Sequence, residues 1–211
     1  MEVTTLNDLK LIIDKIFVKY KDVCDIWDRI KINKYTYSQD KYCVKDIEKN
    51  KGIMNDVLMY SLFLNELLSP MVFSEEKIIN RTRVKNECSI WYKYIRYSDK
   101  TIENKPGSIP INKCFNDLFG LRIISKDKFD FDIIQKYIKN KYSHFKCLLR
   151  NFNGYKAIHI YFKIDNFHYQ WELQLWNECD TEPNYKSHQK YKQDYTEWEK
   201  WYNEFIKRSK K

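Results

Sequence analysis

Tyr155-Lys156-Ala157-Ile158-His159-Ile160-Tyr161-Phe162 and, a few residues on, Gln170-Trp171-Glu172-Leu173-Gln174-Leu175-Trp176 decide the fold. Both belong to β-patterned runs, 155–164 and 168–176. In a strand, successive side chains point to opposite faces. Ile158, Ile160 and Phe162 therefore share an apolar face, and Tyr155, Ala157, His159 and Tyr161 share the other. In the second run Trp171, Leu173 and Leu175 face one way, and Gln170, Glu172 and Gln174 the other. A carboxylate and two amides between Trp and Leu are costly to bury unless their face lines a cleft. An antiparallel sheet with one solvated face gives the same pattern. The two strands alone leave both readings open.

Upstream, 118–125 reads as a buried strand with Asp117 at its mouth. An acid there suits a cation, and it equally suits a turn or helix cap. Arg83 and Lys85 stand two apart, on one face of a strand expected over 76–85. Ser89 and Lys93 stand four apart, on one face of a helix expected over 89–97. Together they offer a cationic cradle for a polyphosphate. A solvated basic surface would account for the same residues in a chain with 38 Lys and Arg.

Around this core the sequence is helical. Leu9, Ile12, Ile13, Ile16, Phe17, Tyr20, Val23, Cys24 and Trp27 recur every three or four residues, predicting a helix over 6–33. A second helix is expected over 54–68, after a polar connection at 34–50 and before Ser69-Pro70. Residues 100–110 read as a loop, 130–141 as a helix and 196–211 as a charged amphipathic helix. The expected architecture is α+β, a mixed sheet flanked by helices, in a single domain over 1–211. Its parts are a helical N-terminal part (1–70), a core (71–180) and a helical C-terminal part (181–211).

Composition narrows the class. Hydrophobic residues make up 43% of the 211, enough for a real core, so wholesale disorder is excluded. The formal charge of +9 favours a polyanionic partner. The 17 Tyr, 12 Phe and 6 Trp serve equally as core or as base-stacking surfaces. Cys24, Cys43, Cys88, Cys114, Cys147 and Cys179 are scattered without a CxxC pair, which predicts reduced thiols in the cytoplasm and no structural zinc. No apolar run is long enough for a membrane span, and the N-terminus has no signal core.

The order of the polar blocks adds a resemblance. Arg83-Val84-Lys85, Ser89 and Lys93, then Asp117-Leu118-Phe119-Gly120-Leu121-Arg122, then Asn153-Gly154-Tyr155 with His159, then Glu172-Leu173-Gln174 resembles the synthetase domain of the RelA/SpoT family, over about half the chain. The resemblance implies a mixed five-stranded sheet related to nucleotidyltransferases. It implies a pyrophosphokinase that moves the β,γ-diphosphate of ATP to a 3′-hydroxyl and releases AMP. Arg83, Lys85, Ser89, Lys93 and Arg122 would then bind ATP. Asp117 and Glu172 would be the catalytic pair and hold Mg²⁺. Tyr155 would stack on the acceptor, with Asn153, His159, Gln174 and Arg150 beside it.

The sequence departs from the family pattern after Gln174, where Trp176 and Asn177 replace an Arg-Thr pair. Asn151 stands where a lysine is usual, with Arg150 one position away. None of the four His is followed by Asp, so the HD hydrolase of the long members is not expected. The chain thus resembles the small stand-alone synthetases. The altered acceptor side points to their toxic subgroup, which modifies the 3′ CCA end of tRNA and has an antitoxin as partner. The competing readings are a (p)ppGpp synthetase using GDP or GTP, a nucleotidyltransferase using Gly107-Ser108 and Asp130/Asp132, and a non-catalytic RNA-binding module.

Overall fold

Period-two and period-3.6 patterning sort the chain into strands and helices largely where the sequence places them. The computed structural model describes residues 6–30, 37–68, 81–99, 101–102, 105–187, 189 and 198. Helix α1 (Leu6–Ile30) buries Leu9, Ile12, Ile13, Ile16, Tyr20, Val23, Cys24 and Trp27 along one stripe. After the single turn α2 (Asp46–Lys49), α3 (Lys51–Leu67) begins three residues earlier than expected, because the Asn50 side chain accepts from the Gly52 N–H. Strand β1 (Arg81–Val84) leads into α4 (Glu87–Ser98), capped by Asn86, whose Oδ1 accepts from the Ser89 N–H at 2.9 Å. The expected strand residues 76–80 lie outside the described residues.

The expected loop 100–110 instead carries a two-residue ladder, β2 (Thr101–Ile102) on β3 (Lys105–Pro106). A short turn α5 (Ile111–Cys114) precedes β4 (Phe119–Ser125). Helix α6 (Phe131–Lys141) starts on Asp130, whose side chain accepts from the Ile133 N–H at 3.0 Å. Asp130 is therefore a helix cap. Strands β5 (Lys146–Phe152), β6 (Tyr155–Phe162) and β7 (Trp171–Asn177) complete the sheet. Helical backbone continues over 181–187, and the helix expected over 196–211 lies outside the described residues.

The sheet is five-stranded in the order β1-β4-β7-β6-β5. It is mixed: β4 and β7 run parallel, and the other pairs are antiparallel. The fold is α+β, as expected. One face carries Phe119, Leu121, Ile123, Ile158, Ile160, Phe162, Trp171, Leu173 and Leu175 into a hydrophobic cluster shared with α1, α3 and α6. Trp171 ties the layers together. Its ring lies 4.4 Å from Phe119 and 5.4 Å from Tyr20, and its N–H donates to the Tyr60 hydroxyl at 3.1 Å. No disulfide joins the six cysteines. No helix among the described residues is long and apolar enough to cross a membrane.

Candidate functional site

Register assigns the opposite face of the sheet. Arg83 pairs with Gly120, Gly120 with Glu172, and Glu172 with Tyr161. Arg81, Arg122, Gln174 and His159 form the next row. Neighbours in register share a face, so the polar side of the expected cleft is assembled from β1, β4, β7 and β6. Gly120 lies at its centre. A Cβ there would meet no atom within 4 Å, so open space separates Arg83 from Glu172.

On the β1 side, Asp117 anchors a cationic cluster. Lys85 donates to one of its oxygens at 2.6 Å, and Lys93, from α4, to the other at 2.7 Å. Lys93 also donates to Asn116 Oδ1 at 3.0 Å. Arg83 reaches the Ser89 hydroxyl at 3.5 Å. Burial alone would raise the Asp117 carboxyl, but the two lysines reverse this and hold it far below the usual carboxylate range. Burial lowers Lys85 to about 8, helped by its neighbour Lys93 and opposed by Asp117. Lys93 stays above its ordinary value because Asp117 outweighs its burial.

On the β7 side, Glu172 is buried with both oxygens engaged. His159 Nδ1 lies 2.8 Å from Oε1, and the Gln174 amide donates to Oε2 at 2.8 Å. Burial pushes Glu172 up, and so does the charge of Asp117. The bond and charge of His159, with Gln174, outweigh them and leave Glu172 below its ordinary value. Asp117 is thus near enough for its charge to act on Glu172. The network extends both ways. The Tyr155 hydroxyl sits 2.8 Å from His159 Nε2, and Gln174 Oε1 accepts from Arg122 Nη2 at 3.0 Å. This strand face is not the solvated one that the pattern also allowed: Glu172 and His159 are each 7% exposed.

Most of the site residues expected from sequence are thus brought together: Arg83, Lys85, Ser89, Lys93, Asp117, Arg122, His159, Glu172 and Gln174. Three positions differ from a simple reading. Asn153 is not in the cluster. It forms the exposed tip of the β5–β6 hairpin with Gly154, at φ 47° and 78°, the positive values a two-residue I′ turn requires. Tyr155 is no open platform. It is 6% exposed, tilted against Phe152 at 5.8 Å and edge-on to Trp176 at 5.9 Å. Arg150, opposite Ala157, lies on the site face of β5, exposed at the sheet edge.

Sequence reading placed Tyr161 on this face by alternation, missed Asn116 and Arg81 as members of the surface, and treated Trp176 only as a departure. The same alternation could have found two of these, because Arg81 precedes Arg83 by two and Trp176 follows Gln174 by two. Asn116 carries no such signal. Trp176 packs with Tyr155 and Ala157 into a small second cluster beneath the site.

No family model matches the chain, and no curated protein matches it. Among solved structures it is similar to small alarmone synthetase 2 from Bacillus subtilis, with 18% identity and a TM-score of 0.34, over 69% of this chain and 80% of that one. It is also similar to small alarmone synthetase 1 from Bacillus subtilis, with 17% identity and a TM-score of 0.32, over 79% and 93% of the two chains. A structure of the latter bound to AMPCPP gives 17% identity, a TM-score of 0.30, and coverage of 76% and 93%. Such low identities and TM-scores carry no residue roles to this chain.

Proposed function

We propose that this chain transfers the β,γ-diphosphate of ATP to a 3′-hydroxyl, releasing AMP, and that the acceptor is the 3′ CCA end of tRNA. One observation carries the reading. Four sequence blocks spread over residues 83–174 converge on one sheet face, with the Arg83 and Asp117–lysine cluster on one side of the Gly120 space and Glu172 on the other.

Arg83, Lys85, Ser89 and Lys93, with Arg122, receive the triphosphate. Phosphoryl-type transfer depends mainly on placement and charge neutralisation, and a cationic cradle supplies both. The attacking hydroxyl oxygen bonds to the β-phosphorus as the bond to the α-phosphate oxygen breaks and AMP leaves. Glu172, ionised at neutral pH, accepts the hydroxyl's hydrogen bond and receives its proton.

The residues fit a magnesium ion delivered with ATP. Asp117 already holds two cations on its oxygens, and Glu172 lies within its electrostatic reach. Among the described residues no three His, Cys, Asp or Glu side chains could hold a metal ion, so phosphate oxygens must complete the shell. Bound there, Mg²⁺ would neutralise charge on the phosphates. Lys85 and Lys93 would then turn from Asp117 to phosphate.

Arg81, Arg150 and Lys146 on the same face, and the charge of +9, favour a polyanionic acceptor such as RNA. A chain that blocks tRNA ends stops translation, and a neutralising antitoxin is its natural partner.

The test is purified protein with γ-phosphate-labelled ATP and, separately, deacylated tRNA, GDP or GTP. Label on tRNA with AMP as co-product is expected, Glu172→Gln abolishing it while ATP still binds. Gly120→Ala, whose Cβ meets no atom within 4 Å, should intrude on the triphosphate space and raise the ATP KM at least about tenfold, with the fold intact. Label only in guanosine nucleotides would reject the tRNA acceptor. Pyrophosphate as co-product, or nucleotide and RNA binding without turnover, would reject the reaction.

A further inference from the structure

Arg122 is held from several sides, and one of its donors is left over. Its Nε and Nη2 both reach Gln174 Oε1, at 3.3 and 3.0 Å. Its guanidinium carbon lies 3.5 Å from the centroid of the Trp176 ring, and Tyr185 stands 5.8 Å away. Tyr185 meets Trp176 edge-on at 5.3 Å, and Tyr155 meets it edge-on at 5.9 Å, so the fully buried indole is braced on both sides. Nη1 is buried and makes no hydrogen bond.

A buried N–H without an acceptor is unfavourable. The Gln174 amide oxygen that accepts from Arg122 is uncharged, so it does not neutralise the positive charge. A planar guanidinium stacked on an aromatic ring is fixed in orientation, and its remaining N–H suits a phosphate oxygen.

We propose that Trp176 is a positioning residue: it clamps Arg122 so that Nη1 is aimed at a phosphate oxygen of the donor before substrate arrives. This rests on the diphosphate-transfer reading for its substrate, and not for its geometry. It gives a function to the indole that stands where the resembling family carries a second cation. One aimed arginine does the work of binding at this corner of the site.

The experiment is a double-mutant cycle of Trp176→Leu and Trp176→Phe with Arg122→Met. It reads ATP KM and kcat, the affinity for inorganic tripolyphosphate by calorimetry, and near-UV circular dichroism. Trp176→Leu should weaken tripolyphosphate binding and raise the ATP KM about tenfold, and Trp176→Phe, which keeps a weaker ring, about threefold. In the Arg122→Met background the same changes should have almost no further effect, because nothing remains to be positioned.

Equal losses in both backgrounds would overturn the clamp. So would unchanged tripolyphosphate affinity in a folded Trp176→Leu, or a loss confined to the acceptor KM. If Trp176→Leu does not fold, the Phe cycle decides alone. Trp176-dependent tripolyphosphate binding in a chain that transfers nothing would uphold the clamp and reject the diphosphate-transfer reading.

Discussion

Lys85 makes the sharpest claim at the scale of the residue. Burial lowers its pKa to about 8, so in the ligand-free protein its charge is lost as pH rises through that value. Binding phosphate needs the charged form, and kcat/KM reports the free protein's ionisations. kcat/KM for ATP should therefore fall above pH of about 8, and Lys85→Arg should move the fall upward, since arginine stays charged.

Stability should respond in the opposite direction. The folded pKa lies below lysine's ordinary value, so between the two the unfolded chain binds more protons, and this group makes folding more favourable as pH rises. A wild-type kcat/KM that stays flat to pH of about 9 would show that Lys85 does not meet ATP. Spacing made the pairing of these residues legible, because Arg83 and Lys85 share a strand face and Ser89 and Lys93 a helix face, but only the order of the blocks singled them out from a solvated basic surface. Their mutual arrangement was not legible. That both lysines close on Asp117 depends on how β1, α4 and the entry to β4 pack, and no local pattern encodes that.

At the scale of the element, Asn184 shows how the C-terminal segment is attached. Its buried side chain accepts from the Lys156 N–H at 2.7 Å and donates to the Lys156 carbonyl at 2.9 Å. The β6–β7 register ends at Ile158 with Leu175, and beyond it β7 turns into a 3-10 turn, Glu178–Asp180. The Asn184 amide takes the place of a strand neighbour there. It also anchors Tyr185 beside Arg122. Asn184→Ala removes both bonds, and at about 1 kcal/mol each should cost about 2 kcal/mol, read as a lower urea midpoint with unchanged slope. A midpoint within error of wild type would show that this segment is held elsewhere.

Strand β5 marks the limit of what was legible at this scale. It passed unrecognised because it is an edge strand with polar and apolar residues on both faces. Leu148, Leu149, Arg150 and Phe152 are all exposed, and Cys147 is its one buried position. Alternation reports burial on one face, and an edge strand wet on both sides produces none. The Asn153-Gly154 pair was the usable sign, since that dipeptide closes a hairpin and requires a strand on each side.

Across the whole molecule, α1 belongs to the same hydrophobic cluster as the sheet that carries the site. Its eight buried side chains, Leu9, Ile12, Ile13, Ile16, Tyr20, Val23, Cys24 and Trp27, are the test of that statement. At roughly 1.5–3 kcal/mol for each large apolar side chain, their burial contributes on the order of 10–20 kcal/mol before entropy is counted. Net stabilities of domains are only about 5–15 kcal/mol. Losing α1 therefore exceeds what the sheet can absorb. It would also uncover the Trp171 ring, which flanks Glu172 in β7 and lies 5.4 Å from Tyr20. Far-ultraviolet circular dichroism and tryptophan fluorescence of the full chain should follow one coincident urea transition. A chain beginning at residue 37 should lose its near-ultraviolet dichroism and its cooperative transition. If that shortened chain kept a sharp transition and still bound tripolyphosphate, the sheet and its site would fold independently of α1, and the single-domain reading would be wrong.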